Sequence, residues 1–320
     1  MTSVVGVDIG GTKVAAAPLR DGELGESVLQ PTTLTSATEL LDQLVALIKS
    51  IRGNRLEAVG IGVPSVVEFE TGRVVSSVNI PLADVPLRQT LSARLGVPTF
   101  VDNDATVAAL AEAHDERMKL VAQHLVMLTI GTGVGGGFVL GGRIYRGAMG
   151  GAGEIGHTII GLDAALAPPE PGDFPQPPSL EYLASGQALD RLAVELAGEV
   201  PQSALGRLVA GGKPVLGRDL VLAAAGGDPL AAGMVEIWAQ RIGIGIANAI
   251  NTFNPQEVVI GGGAAQSGEL LLAPAKRIAH GYVLPGLRNR TTIRLARWGV
   301  RAGVLGAALL AVHELGSSGG

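Results

Sequence analysis

The chain of 320 residues contains no cysteine. Disulfides, thiolate zinc sites, iron–sulfur clusters and cysteine nucleophiles are therefore excluded, a composition that suits a reducing cytoplasm. Aromatic residues make up only 3% of the chain, which leaves few platforms for stacking bases. Basic charge is scarce too: 24 Lys and Arg face 29 Asp and Glu, for a net charge of −5. Such a balance gives no general attraction to nucleic acid or to an anionic membrane. No uninterrupted apolar run reaches ~18 residues, so no membrane span is expected. The chain opens on Val4-Val5-Gly6-Val7 with no basic segment before it, so no signal peptide is expected. The reading is a soluble cytoplasmic protein. The Gly-x-x-x-x-Gly-Lys-[Ser/Thr] string of a P-loop is also absent.

What the chain has in quantity is glycine. Two glycine-rich turns lie about 120 residues apart, each following an apolar run with strand character. The first is Asp8-Ile9-Gly10-Gly11-Thr12-Lys13 and the second is Gly131-Thr132-Gly133-Val134-Gly135-Gly136-Gly137. Residues without a Cβ let backbone N–H groups curl around an oxygen-rich ligand. Two such hairpins in one chain suggest two halves that grip one polyphosphate, and ATP is the first candidate. The string Gly131-x-Gly133-x-x-Gly136 also matches a dinucleotide fingerprint. That fingerprint must open a helix, whereas Phe138-Val139-Leu140 reads as strand, so the match is rejected. Gly316-x-Ser318-x-Gly320 matches a nucleophile elbow by letter alone, in what reads as a frayed tail.

Hydropathy periodicity alternates strands and helices, which implies an α/β fold with a mixed sheet. Ser36–Ile51 reads as an amphipathic helix capped by Thr35 or Ser36, Ala58–Val63 as a buried strand, and Leu82–Leu95 as a short helix. A strand at Thr99–Val101 leads into a helix running through Glu112. Strands are expected at Leu125–Ile130, Gly137–Tyr145 and Glu257–Ile260. Asp228 is placed to cap a long helix ending near Asn254-Pro255, and Ala302–Glu314 reads as an apolar helix. The proline-rich stretch Ala167–Ser179 must be an irregular loop. Two domains are expected, 1–107 and 108–300, with the last helix, about 301–315, packing back on the first.

Several side chains carry candidate chemistry. Asp8 beside a phosphate cradle would be repelled unless a cation intervened, which suggests Mg²⁺ held through water; the alternative is a turn-capping aspartate. Thr12 can hydrogen-bond a phosphate oxygen, and Lys13 either reaches a phosphate or is solvated. Asp102-Asn103-Asp104 ends a strand at the carboxyl edge, where α/β sheets place ligands. It reads either as a helix N-cap or as a site in which Asn103 orients a substrate hydroxyl and Asp104 accepts its proton. Glu154 and His157 lie three residues apart in a third glycine-rich segment, Gly150–His157. Asn79 is an amide between apolar neighbours, readable as a turn residue.

Together and in order, Asp8–Lys13, Asp102-Asn103-Asp104-Ala105, Gly131–Gly137, Gly153-Glu154-Ile155-Gly156-His157 and Asn254-Pro255 followed by Val258–Gly263 resemble the ROK family of bacterial sugar kinases, repressors and open reading frames. The resemblance spans Val4 to about Val312. It implies an actin-like, ribonuclease-H-like ATPase fold with two domains around a central cleft, and an ATP- and Mg²⁺-dependent hexose kinase. Glucose is the leading acceptor; fructose, mannose, allose and N-acetylated hexosamines are the others, and a non-catalytic sugar sensor is the reading outside enzymes. By this resemblance Asp104 is the base, while Asn79, Asn103, Asp104, Glu154, His157 and Glu181 hold the sugar. Asp8, Gly10, Gly11, Thr12, Lys13, Gly131, Thr132 and Gly133 serve the nucleotide phosphates, and Gly261, Gly262 and Gly263 line an adenosine pocket. A homo-oligomer, dimer or tetramer, is implied. Two departures stand out. The family's usual zinc site of one His and three Cys is impossible here, because Ala167–Ser179 stands in its place, so no zinc is expected. Pro64-Ser65 replaces a common Pro-Gly. The repressor branch adds a DNA-binding segment ahead of the first phosphate strand, and none is read here, so nucleic acid is not an expected partner.

Overall fold

In this computed structural model the described residues are 3–53, 55–161 and 174–317. They divide into two compact units. The first comprises Met1–Met127, Gly137–Gly153 and Arg297–Gly320, and the second Leu128–Gly136 and Glu154–Ala296. The expected boundary at 107/108 falls inside a continuous helix, Asp104–Glu112, and is corrected accordingly.

The opening strands are β1 (Ser3–Ile9), β2 (Lys13–Arg20), β3 (Glu23–Leu24) and β4 (Val28–Pro31). Val4, Val5, Val7 and Ile9 are fully buried, because β1 lies inside the sheet and is covered on both faces. Asp21 and Gly22 both take positive φ, which makes the tight β2–β3 turn that an Asp-Gly pair favours. Helix α1 (Ala37–Ile51) buries Leu40, Leu41, Leu44, Val45, Leu47 and Ile48, and the Ser36 hydroxyl accepts the Glu39 N–H at 3.2 Å. Strand β5 (Ala58–Val63) follows, then the hairpin β6 (Ser65–Glu68) and β7 (Arg73–Ser77), which sequence reasoning missed. Helix α2 is Leu87–Leu95, shorter than the expected Leu82–Leu95 because Pro86 stands at its N-cap. Strand β8 (Thr99–Asn103) runs directly into α3 (Asp104–Glu112). The main sheet has the order β3-β2-β1-β5-β8, with β4 also paired to β2.

Strands β9 (Leu125–Ile130) and β10 (Val134–Leu140) flank the second glycine turn, and β11 (Arg143–Ile144) follows. The single strand expected at Gly137–Tyr145 is thus two, broken where Gly141 and Gly142 take positive φ. Helices α4 (Leu180–Ala184), α5 (Gly186–Glu199), α6 (Ala204–Ala210), α7 (Gly217–Ala225) and α8 (Pro229–Phe253) come next. Asp228 caps α8 and Asn254 ends it in the left-handed conformation. Strand β12 (Glu257–Gly261), helix α9 (Glu269–Tyr282) and strand β13 (Thr292–Leu295) lead to α10 (Ala302–Ser317). The second sheet has the order β11-β10-β9-β12-β13.

Within the first unit α10 packs on β1, β5 and α3. The approach is close: a Cβ on Gly6 would lie 2.1 Å from the Val304 carbonyl oxygen, and one on Gly60 1.7 Å from that of Ala307. By length and apolarity alone Gly299–Gly316 could cross a membrane, and half of it is buried in the protein. Of the proline-rich stretch, residues 167–173 lie outside the described residues, as do 318–320 of the tail, including Ser318 of the rejected elbow.

Candidate active site

The first unit brings two acidic positions to one sheet edge. Asp8 of β1 pairs with Gly62 of β5, and Gly62 pairs with Asp102 of β8. Packing at Gly62 is close, since a Cβ there would lie 2.8 Å from Val107 Cγ2, 3.5 Å from Asp104 Cα and 3.8 Å from Asp8 Oδ1. Parallel strands ending in register thus place Asp8 and the Asp102-Asn103-Asp104 triplet at the carboxyl edge, as the sequence suggested.

The first glycine turn is closed by the Gly10 N–H donating to the Lys13 carbonyl at 2.9 Å. The Thr32 hydroxyl donates to the Gly10 carbonyl at 2.6 Å, and the Thr32 N–H donates to the Thr12 carbonyl at 3.1 Å. Thr12 and Lys13 are exposed. Gly11 faces Asn79, with only 3.3 Å from its would-be Cβ to Asn79 Cβ, so that exposed amide belongs beside the turn. A cavity of about 530 Å³ is lined by Asp8, Gly10, Thr12, Lys13, Glu26 and Arg301, among others. Burial pushes the Asp8 carboxyl up to about 6, opposed by the nearby Lys13 ammonium. A Cβ on Gly303, in the first turn of α10, would come within 2.3 Å of Asp8 Oδ2.

Asn103 does cap a helix: its Oδ1 accepts the N–H groups of Ala105 at 2.9 Å and Thr106 at 3.2 Å, and its Nδ2 donates to the Ser65 carbonyl at 3.4 Å. The capping reading therefore holds, and it occupies Oδ1, while Nδ2 is the side chain's donor. Asp104 is half-buried at the first position of α3, and its Oδ1 accepts the Ala105 N–H at 2.7 Å.

In the second unit the glycines interlock. The Gly131 N–H donates to the Gly133 carbonyl at 2.9 Å, and the Gly186 N–H donates to the Gly131 carbonyl at 2.8 Å. Glu181 on α4 accepts the Val134 N–H on Oε2 at 2.7 Å, and a Cβ on Gly133 would sit 2.4 Å from that oxygen. Glu181 thus holds the second glycine turn, a contact the sequence did not suggest. Glu154 Oε2 stands 3.8 Å from His157 Nε2. The Phe174 ring meets the His157 ring edge-on, with centroids 5.3 Å apart.

A cavity of about 600 Å³ opens beside this turn, lined by Gly131, Thr132, Gln187, Asp190, Arg218 and Gly263, among others. Only Gly263 of the Gly261–Gly263 run lines it. Gly261 ends β12, while Gly262 takes φ +77° and would put a Cβ 2.4 Å from the Ile130 carbonyl oxygen. Gln187, Asp190 and Arg218 went unnoticed because they lie on helices whose surface pattern gives no sign of a cavity. Among the described residues, no group of three or more His, Cys, Asp or Glu is arranged to hold a metal ion.

A mixed α/β protein with paired glycine turns and acids at a sheet edge has the makings of a phosphotransferase of the actin-like ATPase fold. The pattern of the ROK family matches residues 4–314, and the chain belongs to that family. It is 35% identical to the glucokinase of Halalkalibacterium halodurans, over 97% of this chain and 95% of that one. Among solved structures, the ROK hexokinase of Thermus thermophilus superposes with a TM-score of 0.78 at 35% identity, covering 99% of this chain and 100% of that one. The ROK glucokinase of Streptomyces griseus, in complex with glucose and AMPPNP, gives 0.78 at 30% identity, covering 97% and 99%.

Proposed function

We propose that the protein is an ATP- and Mg²⁺-dependent hexose kinase of the cytoplasm that transfers the γ-phosphoryl group to the 6-hydroxyl of glucose. The observation that carries this reading is the register Asp8–Gly62–Asp102, which sets one carboxylate beside a phosphate-type turn and another, Asp104, at the head of the adjoining helix. The relatives named as glucokinases support glucose as the acceptor. Asp104 receives the hydroxyl proton as the acceptor oxygen attacks. Asn79, Asn103, Glu154, His157 and Glu181 orient the sugar. Gly10, Gly11, Thr12, Lys13, Gly131, Thr132 and Gly133 hold the phosphates, and Gly261–Gly263 form the wall toward the adenosine.

Asp8 fits a magnesium ion. Its carboxyl is desolvated, it lines a cavity with Thr12 and Lys13, and magnesium needs only one or two protein carboxylates when phosphates and water complete its shell. When bound, the ion supplies charge neutralisation on the transferring group. With no cysteine in the chain, the sugar site works without the family's zinc. A homo-oligomer, dimer or tetramer, is part of the proposal and is checked by light scattering.

The test is Asp104→Asn. The variant loses turnover by a factor of about 10²–10⁴, the range for removal of a general base, while glucose still binds within about threefold of wild type. Near-normal turnover would overturn the assignment of the base.

A further inference from the structure

Asp102 stands two residues before the proposed base and takes no part in the mechanism above. It is 4% exposed. Its Oδ1 accepts the Asn103 N–H at 2.9 Å and its Oδ2 accepts Arg146 Nε at 2.7 Å. Arg146 Nη2 donates to Glu314 Oε1 near the end of α10 at 2.9 Å. The guanidinium carbon lies 3.4 Å from the centroid of the Phe69 ring, in the turn between β6 and β7. The Arg146 carbonyl accepts the Ala152 N–H at 3.0 Å, which closes the first loop of the third glycine-rich segment. One side chain therefore joins the end of β8, the end of α10 and the β6–β7 turn, all in the first unit.

The electrostatics make Arg146 indispensable to this arrangement. Burial pushes the Asp102 carboxyl up, Glu314 pushes the same way, and Arg146 opposes both by charge and by hydrogen bond. Without Arg146, Asp102 would be an unpaired buried anion facing another carboxylate, and it would take up a proton or turn out of its place. Protonation weakens the charge-assisted bond from the Asn103 N–H, and a turned side chain loses it altogether. Asn103 is the cap of α3, and Asp104 is the first residue of that helix.

We propose that Arg146 is a positioning residue for the reaction: by fixing Asp102 it fixes the Asn103–Asp104 backbone and aims the Asp104 carboxylate. The proposal rests on the reading of Asp104 as the base.

The experiment compares Arg146→Met, Arg146→Lys and the double variant Arg146→Met/Asp102→Asn in kcat, in KM for ATP and for glucose, and in melting temperature. Arg146→Met should lower kcat by about tenfold or more, since small displacements of a reacting group carry that cost, and should leave KM for ATP within about twofold. Arg146→Lys, which keeps the charge, should recover part of kcat. The double variant no longer buries the Asp102 charge, so it should melt above Arg146→Met while kcat stays low. It also carries the test if Arg146→Met alone does not fold. Recovery of both kcat and melting temperature in the double variant would overturn the proposal and leave Arg146 a purely structural partner. So would a folded Arg146→Met that keeps wild-type kcat. A wild-type protein that phosphorylates no hexose would refute the reading of Asp104, and this assignment with it.

Discussion

The Glu181 carboxylate accepts the backbone N–H of Val134 at 2.7 Å, so one acidic side chain fixes the second glycine turn from a neighbouring helix. A charge-assisted bond of this kind contributes about 1.5–3 kcal/mol when partly shielded from solvent. Glu181→Ala should therefore lower the melting temperature and raise KM for ATP several-fold, in addition to any effect on the sugar. Glu181→Gln keeps an acceptor for that N–H and should leave KM for ATP closer to wild type. Steady-state kinetics in ATP on both variants checks this. Equal KM for ATP in Glu181→Ala and wild type would show that the contact does not shape the turn.

Asp8 gives a prediction with opposite signs for stability and activity. Its folded-state carboxyl is raised from 3.8 to about 6. A raised acid contributes stability that is present below its unfolded value and is lost as pH rises through the folded one. At pH 7 the ionised group is therefore a cost to the ligand-free fold. Asp8→Asn should raise the ligand-free melting temperature at pH 7, with little gain at pH 4, while lowering turnover by orders of magnitude. Thermal scans at the two pH values, set beside turnover, test both halves.

Buried His114 and half-buried His313 form a pair in the first unit, with Nε2 atoms 3.3 Å apart. The His114 Nδ1 lies 2.7 Å from the Leu110 carbonyl oxygen and acts as donor to it. Burial lowers the His114 ring from its ordinary 6.5, and burial, His114 and Arg143 together push His313 from 6.5 down to about 4. A histidine depressed in the folded state contributes stability above its unfolded value that is lost as pH falls. The melting temperature should thus decline between pH 6.5 and 4. His313→Gln should flatten that decline, and an unchanged slope would show that other groups set it.

Much of the site was legible because glycine and strand signals are local. Gly10-Gly11-Thr12-Lys13 and Gly131-Thr132-Gly133 could be placed on turns from their flanking apolar runs alone, and both turns are closed as expected. The N-cap role of Asn103 was likewise open to inspection, since Asn before a helix bonds its own next residues. The β6–β7 hairpin was not legible: it is short, and Phe69-Glu70 between its strands carries no turn signature before Thr71-Gly72. The link from Arg146 to Asp102 spans 44 residues, and Glu181 reaches Val134 across 47. Such pairings come from tertiary folding and leave no mark in a local pattern. The close approach of Gly262 to Ile130 was not legible for the same reason.

That approach is itself testable. Gly262 has φ +77° and no room for a methyl group beside the Ile130 carbonyl. Gly262→Ala should cost about 1–3 kcal/mol from backbone strain alone, with more from the clash, and should weaken ATP binding. Gly263→Ala meets no atom within 4 Å and should be tolerated by the fold. Equal stability of the two variants, measured by denaturant unfolding, would contradict the geometry.

The most direct test of the account is a coupled ADP-release assay with ATP across glucose, mannose, fructose, N-acetylglucosamine and N-acetylmannosamine, repeated after EDTA treatment and Mg²⁺ add-back. Turnover should be strongest on glucose, abolished by EDTA and restored by Mg²⁺ without zinc. Absence of turnover on every sugar, with sugar binding still measurable, would contradict it and leave a sugar-sensing protein of the same fold.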